Sequence, residues 1–470
     1  MSSRREAIGL VLFGLAVFAI VGMGIGARAT YGAQTTADEP QYLLSALSLW
    51  EDGNLDISDE LADERYRDFH EVDLPQQTLR LEDGVRISPH DPLLPLLLAA
   101  PMGLGGWLGA KLVLAGIGGV LAALLAWTAR HRLGVSTTIA YVIAGVFALA
   151  PPLAIYSTQV YPELPAALAV LAGFAAVTGP FERRGRIVFA LAVIALPWLA
   201  VKYVPIAAVL AIAGLIKAGR GTRLALIGVF SVAGLTYVLG HLAIYGGLTP
   251  YATGDHFVGG ELTVVGTDPN LWGRSTRLIG LLIDRGFGIG AWQPAYFFLP
   301  LAAGWALRVR GSVVSLAAWL VAMGWIVATF VALTMHGWWF PGRQLIVILP
   351  MAVLLIAAWV HESRRRLPVL AVVGTLGLVA FGFLVIEGLA NQLTWVVDFG
   401  TTANPIYQTL AVFLPDYLAS TTATWVLHGS WVAFVVALGW LGWRSGGGFR
   451  RGEPRTPESD RAREKERVLT

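Results

Sequence analysis

The chain contains no cysteine in its 470 residues. Disulfides, thiolate nucleophiles, Cys-ligated zinc and iron–sulfur clusters are therefore all excluded. Charge is scarce too: Asp, Glu, Lys and Arg make up 14% of the residues, against about a quarter in a soluble domain. With a net charge of +3 and basic residues dispersed among apolar segments, the pI of about 9.1 gives no nucleic-acid footprint. What the chain has is apolar surface, at 56% hydrophobic residues and a mean hydropathy of +0.64. This is the composition of an integral membrane protein, read as all-α and polytopic.

A transmembrane helix needs about 20 mostly apolar residues, and about twelve segments come near that. They centre on 8–28, 93–128, 136–150, 163–179, 187–201, 204–217, 222–245, 292–307, 312–334, 344–360, 367–389 and 423–443. The segment 93–128 is long enough for a span plus an interfacial piece. Pro197, Lys202 and Pro205 interrupt the pair 187–201 and 204–217, which reads as two short spans or a re-entrant element. With the amino terminus cytoplasmic, each short inner loop is basic: Arg130 and Arg132; Arg183, Arg184 and Arg186; Lys217, Arg220 and Arg223; Arg308 and Arg310; Arg364, Arg365 and Arg366. That is the positive-inside pattern of a multi-pass plasma-membrane protein with both termini in the cytoplasm. The outer face is acidic, and nearly half of the 31 acidic residues lie between Asp38 and Asp91. The apolar run before Ala27-Arg28-Ala29 is long for a signal peptide, so it is read as a retained span. Residues 1–443 form one membrane domain; the basic tail 444–470, with little apolar content, is expected to be a disordered cytoplasmic end.

Residues 29–91 form a long first outer loop, and a loop of that length is functional or disordered. Tyr42, Leu43, Ala46, Leu47, Leu49 and Trp50 give an amphipathic helix, begun by Asp38 as N-cap with Pro40 in the first turn and ended at Asp52-Gly53-Asn54. It is expected to lie on the outer membrane surface, and a second helix is expected in 59–69.

Outer-face residues supply the candidate site. Asp38 and Glu39, beside the first span, read either as helix capping and dipole complement or as a general base or metal ligand whose partial desolvation raises its basicity. Glu163 opens a span after Tyr161-Pro162, as either an N-terminal carboxylate or a paired functional one. Lys202 is a lone cation between apolar segments that either snorkels or meets an anion. In His336-Gly337-Trp338-Trp339-Phe340-Pro341-Gly342-Arg343, aromatics surround Arg343 at a helix start, a position suited to phosphate. Arg274, Arg277 and Arg285 lie in a further long outer loop, and Arg285 immediately precedes a span.

With these residues in view, the chain resembles the GT-C superfamily of membrane glycosyltransferases, which includes protein O-mannosyltransferases and the lipid A aminoarabinose transferase. The resemblance rests on a first span followed at once by Asp38-Glu39-Pro40-Gln41-Tyr42-Leu43-Leu44, then on Ser88-Pro89-His90-Asp91-Pro92, Tyr161-Pro162-Glu163-Leu164-Pro165, Pro197-Trp198 with Lys202-Tyr203, and Gly337-Trp338-Trp339 to Arg343. It implies a GT-C-like bundle of about 12 helices that takes a sugar from a polyprenyl-phosphate carrier to an acceptor hydroxyl at the outer face. Asp38 would be the general base, with Glu39 beside it, and the one-step displacement would invert the anomeric centre. Arg343, Lys202 and Arg285 would hold the donor phosphate. Tyr42, His90, Glu163, His336 and Trp338 would position sugar or acceptor. Some members use a divalent cation and others do not, so the resemblance leaves open whether Asp38, Glu39, His90 and Glu163 bind one. The acceptor, whether glycan, lipid or protein, is not specified. Unlike in many relatives, no soluble carboxy-terminal domain is expected after the last span, so acceptor recognition would fall to the outer loops and the membrane cleft.

The competing classes are a secondary transporter or flippase, another polyprenyl-phosphate enzyme, and a silent scaffold. Against a transporter, the long loop after the first span has no counterpart half a chain later.

Overall fold

The computed structural model describes residues 3–446, apart from 82–83, 256–268 and 310. The expected disordered tail thus lies almost entirely outside the described residues. Among the described residues there is no β-strand, only isolated bridges. The first helices are α1 (Ser3–Gly22), α2 (Glu39–Glu51), α3 (Ser58–Ala62), α4 (Leu93–Leu133), α5 (Thr137–Ala148), α6 (Leu153–Tyr156), α7 (Glu163–Val177), α8 (Arg183–Leu199), α9 (Val204–Lys217) and α10 (Arg220–Tyr245). After them come α11 (Leu271–Ser275), α12 (Arg277–Ile283), α13 (Ile289–Trp292), α14 (Leu299–Val309), α15 (Ser312–Ile326), α16 (Leu349–His361), α17 (Arg366–Leu389), α18 (Pro405–Ala411) and α19 (Thr422–Ser445).

Seven helical stretches among the described residues are long and apolar enough to cross a membrane: Arg4–Gly22, Leu93–Leu133, Arg220–Thr253, Ser312–Val331, Arg343–His361, Arg366–Leu389 and Thr422–Ser445. The other anticipated segments are helical but shorter, in α5, α7, α8, α9 and α14. The segment expected at 292–307 is broken, because Gln293 leaves the helix and Pro294 opens a 3-10 turn before α14. The Gln293 amide donates to the carbonyls of Val146 and Gly374, so the break is satisfied by protein at depth. Helix α4 turns sharply at Gly106, whose φ of 60° and ψ of −159° suit glycine. The stretch is therefore two helical pieces joined at a kink.

Helix α16 is the hub. Every residue from Leu349 to Val360 is buried, with α4, α5, α7, α14, α15 and α17 packed around it. At the edge, α14 meets α19 so closely that a Cβ at Gly304 would collide with the Gly439 carbonyl. Small residues at such crossings let helix backbones approach.

The basic loops gather at one end of the bundle. Glu6 of α1 pairs with Arg130 and His131 at the end of α4, Arg132 donates to Ala175, Lys217 donates to Val177, and Arg186 donates to Thr222. The starts of α2, α4, α7 and α9 lie at the opposite end.

Helix α2 forms where the sequence places it, but it does not lie on a surface. All residues from Glu39 to Ser48 are buried, against α4 in particular. Its polar side is met by protein: Ser48 Oγ donates to the Asp56 carbonyl at 2.8 Å. In place of the second expected helix there are α3 and a 3-10 turn at Arg65–Asp68.

Candidate active site

Asp38 stands at the N-cap position of α2 yet makes no side-chain cap bond. Its carboxylate turns instead to Arg343, whose Nη2 lies 2.6 Å from Oδ2. Arg343 opens the 3-10 turn that leads into α16, after Gly342 at φ +85°. A Cβ at Gly342 would press on Ile289 and Pro152, so glycine fits this turn on both counts. The guanidinium lies over the Tyr161 ring at 3.9 Å and near the Trp339 ring at 5.0 Å. Its Nε donates to Glu163 Oε1 at 3.0 Å, and Lys202 Nζ reaches the same oxygen at 2.8 Å. Two carboxylates and two cations thus form one compact, nearly neutral group. Such mutual pairing is what makes burying ions tolerable.

Lys202 is presented by a 3-10 turn, Val201–Tyr203, in the break between α8 and α9. That turn is pinned by Asp91, whose Oδ2 accepts from the Val201 amide at 2.9 Å. Asp91 Oδ1 in turn receives Tyr237 and His241, both at 3.0 Å. Beside it, His90 bonds Ser88 through Nδ1 at 2.7 Å, packs with its ring tilted against Tyr42 at 4.5 Å, and brings Nε2 to 3.7 Å from Asp38. Burial pushes the Asp38 carboxyl up, but Arg343 and His90 outweigh it and hold the carboxyl below the usual carboxylate range. Free Asp38 is therefore ionised and a weak base.

These groups open into a cavity of about 870 Å³. Asp38, Tyr42, His90, Asp91, Lys202 and Arg343 line its polar part, with Trp338 and Trp339 beside them. Val204, Ile206, Gly324, Val327, Val331 and Val347 line an apolar part. Val327–Val331 forms a π-helical turn, a feature that frequently accompanies functional sites. The carbonyls around its end are taken up by Arg274 and Arg277.

No protein-family model matches the chain, and no curated protein sequence matches it. Among solved structures, it is similar to ArnT from Cupriavidus metallidurans bound to undecaprenyl phosphate, with a TM-score of 0.55 and 14% identity over 94% of this chain and 75% of that one. The apo state of ArnT from the same organism aligns with a TM-score of 0.48 and 16% identity, over 94% and 76% of the two chains. The fold is that of ArnT. The resemblance read from the sequence therefore extends to the fold.

Within this ArnT-like fold, Asp38, Tyr42, His90, Lys202, Trp338 and Arg343 come together at the cavity. Glu163 lies behind them, holding Arg343 and Lys202 rather than lining the wall. Glu39 points away: its oxygens accept from the Val160 and Thr36 amides at 2.6 and 2.9 Å, and burial raises its carboxyl above the ordinary value despite nearby Lys111. Arg285 is outside the lining, bonded to the Ala411 carbonyl at 2.9 Å and near Asp416. His336 is likewise outside, 3.5 Å from Asp284. The four residues considered for a metal do not converge. Glu39 faces backbone amides, Glu163 Oε1 is filled by two cations, and among the described residues no close group of three donors includes any of them.

Sequence reading missed His241, Tyr237 and Tyr203. An ionisable residue inside an apolar helix is itself a signal, and Tyr237 and His241, four residues apart, share one face of α10. The Tyr203 hydroxyl is buried and lacks a partner among the described residues, on the wall of the cavity.

Proposed function

We propose that this chain is a glycosyltransferase of the GT-C type, moving a sugar from a polyprenyl-phosphate donor to an acceptor hydroxyl at the outer face of the membrane. The observation that carries it is that Asp38, Arg343 and Lys202 line one cavity together with a set of aliphatic side chains. ArnT, a GT-C aminoarabinose transferase solved with undecaprenyl phosphate, supports this reading through its fold. An amphiphilic donor asks for this division, with cations for the phosphate and aliphatic walls for the isoprenoid.

In the proposed reaction the acceptor oxygen attacks the anomeric carbon while its proton passes to Asp38. The bond between the anomeric carbon and the phosphate oxygen breaks, and the leaving phosphate keeps the electron pair. Arg343 and Lys202 meet that developing charge in a largely desolvated site, where fixed cations are most effective. A single displacement inverts the anomeric centre. When the donor phosphate shares Arg343, Asp38 loses part of its counter-charge and becomes a better base. Glu163 keeps both cations in place, and Tyr203 has a free hydroxyl for the substrate. The basic loops at the far end of the bundle favour a cytoplasmic placement of that end, which puts the cavity outside.

Native mass spectrometry of the purified protein with undecaprenyl phosphate and with undecaprenol tests the donor assignment. Retention of the phosphate over the alcohol, lost in Arg343→Ala, is expected; equal retention of both would refute it.

A further inference from the structure

A second charged group lies at the other end of α2 from Asp38. Asp52, Asp59 and Glu60 each bring one carboxylate oxygen within 4.8 Å of the other two. Such separations suit oxygens placed around a calcium-sized ion, whose bonds are about 2.3–2.6 Å. Asp52 and Asp59 are exposed, but Glu60 is only 2% exposed, and both of its carboxylate oxygens lack a hydrogen-bond partner among the described residues. Burying an unpartnered carboxylate beside two others is costly, and Asp52 adds negative charge at the carboxyl end of α2, where the helix dipole already disfavours it. Arg65, which interacts electrostatically with Glu60, is committed to Glu51 through two bonds of 2.9 Å.

From this geometry we infer that Asp52, Asp59 and Glu60 bind a divalent cation of the calcium type. Three carboxylates with no nitrogen or sulfur donor select a hard cation, and Ca²⁺ completes its six to eight ligands with carbonyls or water. The neighbouring side-chain oxygens belong to the local fold rather than to the site. Asn54 Oδ1 accepts from the Asp56 amide at 2.7 Å, and Asp56 Oδ1 accepts from the Ser58 and Arg86 amides at 3.0 and 3.1 Å. The run Asp52-Gly53-Asn54-Leu55-Asp56-Ile57-Ser58 carries oxygens at alternate positions like a helix–loop–helix calcium loop, but Ile57 stands where that loop requires glycine. The inferred site is therefore built differently, across the junction of α2 and α3. Its ion would fasten the far end of the helix whose near end carries Asp38, which is a structural role.

The test uses the full-length protein, stripped with chelator and placed in zwitterionic nanodiscs so that lipid does not compete for Ca²⁺. Calorimetric titration with Ca²⁺ should give one site per chain with a dissociation constant of ~0.1–1 mM, the range of extracellular modules, and Ca²⁺ should raise the thermal unfolding midpoint by several degrees. Glu60→Gln keeps the shape and removes the charge, so it should weaken binding at least tenfold and abolish the thermal shift. Asp52→Asn, at an exposed position, provides a second variant that should weaken binding in the same direction. Absence of saturable binding in the wild type would overturn the site. Binding unchanged in both variants would overturn it too.

Discussion

Asp38 and Arg343 are 305 positions apart in the chain and 2.6 Å apart in the structure. Their pairing decides two properties of the free protein: the candidate base is kept ionised, and the candidate phosphate-binding cation is kept in place. Substrate binding then has a definite electrostatic effect, because a phosphate that draws on Arg343 changes the basicity of Asp38.

Replacing Asp38 with Asn keeps the shape and removes the base. Turnover should fall by about 10²–10⁴, the usual contribution of a positioned base, while undecaprenyl phosphate binding and thermal stability stay near those of wild type. Retained turnover would move the base to another group.

Arg343→Ala leaves Asp38 and Glu163 without their shared partner. Breaking a buried ion pair from one side costs about 3–5 kcal/mol, so the unfolding midpoint should drop together with donor affinity. Arg343→Lys keeps the charge but not the fork that serves two carboxylates; it should recover stability in part and donor KM less. An unchanged donor KM in the lysine variant would argue against a phosphate role.

The pH dependence follows from Asp38. Its carboxyl is held low in the free protein, so its stabilising contribution is complete above the unfolded value of about 3.9 and is lost as pH falls through the lower folded value. The acid limb of kcat/KM, which reports the free enzyme, should lie below the usual carboxylate range. The limb of kcat, which reports the bound state, should lie at higher pH because Arg343 is then shared with phosphate. Coincident limbs would show that the donor does not loosen the pair.

Asp91 fixes the Lys202 turn through the Val201 amide and is itself held by His241 and Tyr237. His241→Ala should therefore raise donor KM more than it lowers kcat, through a misplaced Lys202, and a matching change in Lys202→Ala would show the shared route. An effect confined to thermal stability would reduce His241 to a packing role.

The sequence carried the local parts of this picture well. Asp38, Pro40 and the apolar spacing after them announce α2, and the aromatic segment before Arg343 announces a cation at a helix start. It did not carry the pairing of those parts. Nothing local to Glu163 says that it holds Lys202 and Arg343, because that contact depends on how α7, α9 and α16 pack. The polar residues of α2 look like a solvated face, yet Ser48 is satisfied by the Asp56 carbonyl within the protein. Arg285, before a helix like Arg343, is instead engaged with carbonyls and Asp416. Charge and helix position were the same in both; the three-dimensional neighbours differ.

The most direct measurement is sugar transfer by the purified, lipid-reconstituted protein offered a panel of polyprenyl-phosphate sugars, nucleotide sugars and candidate acceptors, with Asp38→Asn alongside. The account predicts that one lipid-linked sugar is consumed, that nucleotide sugars are not, and that the variant is inactive. Consumption of no donor by the folded protein, or equal consumption by wild type and Asp38→Asn, would contradict it.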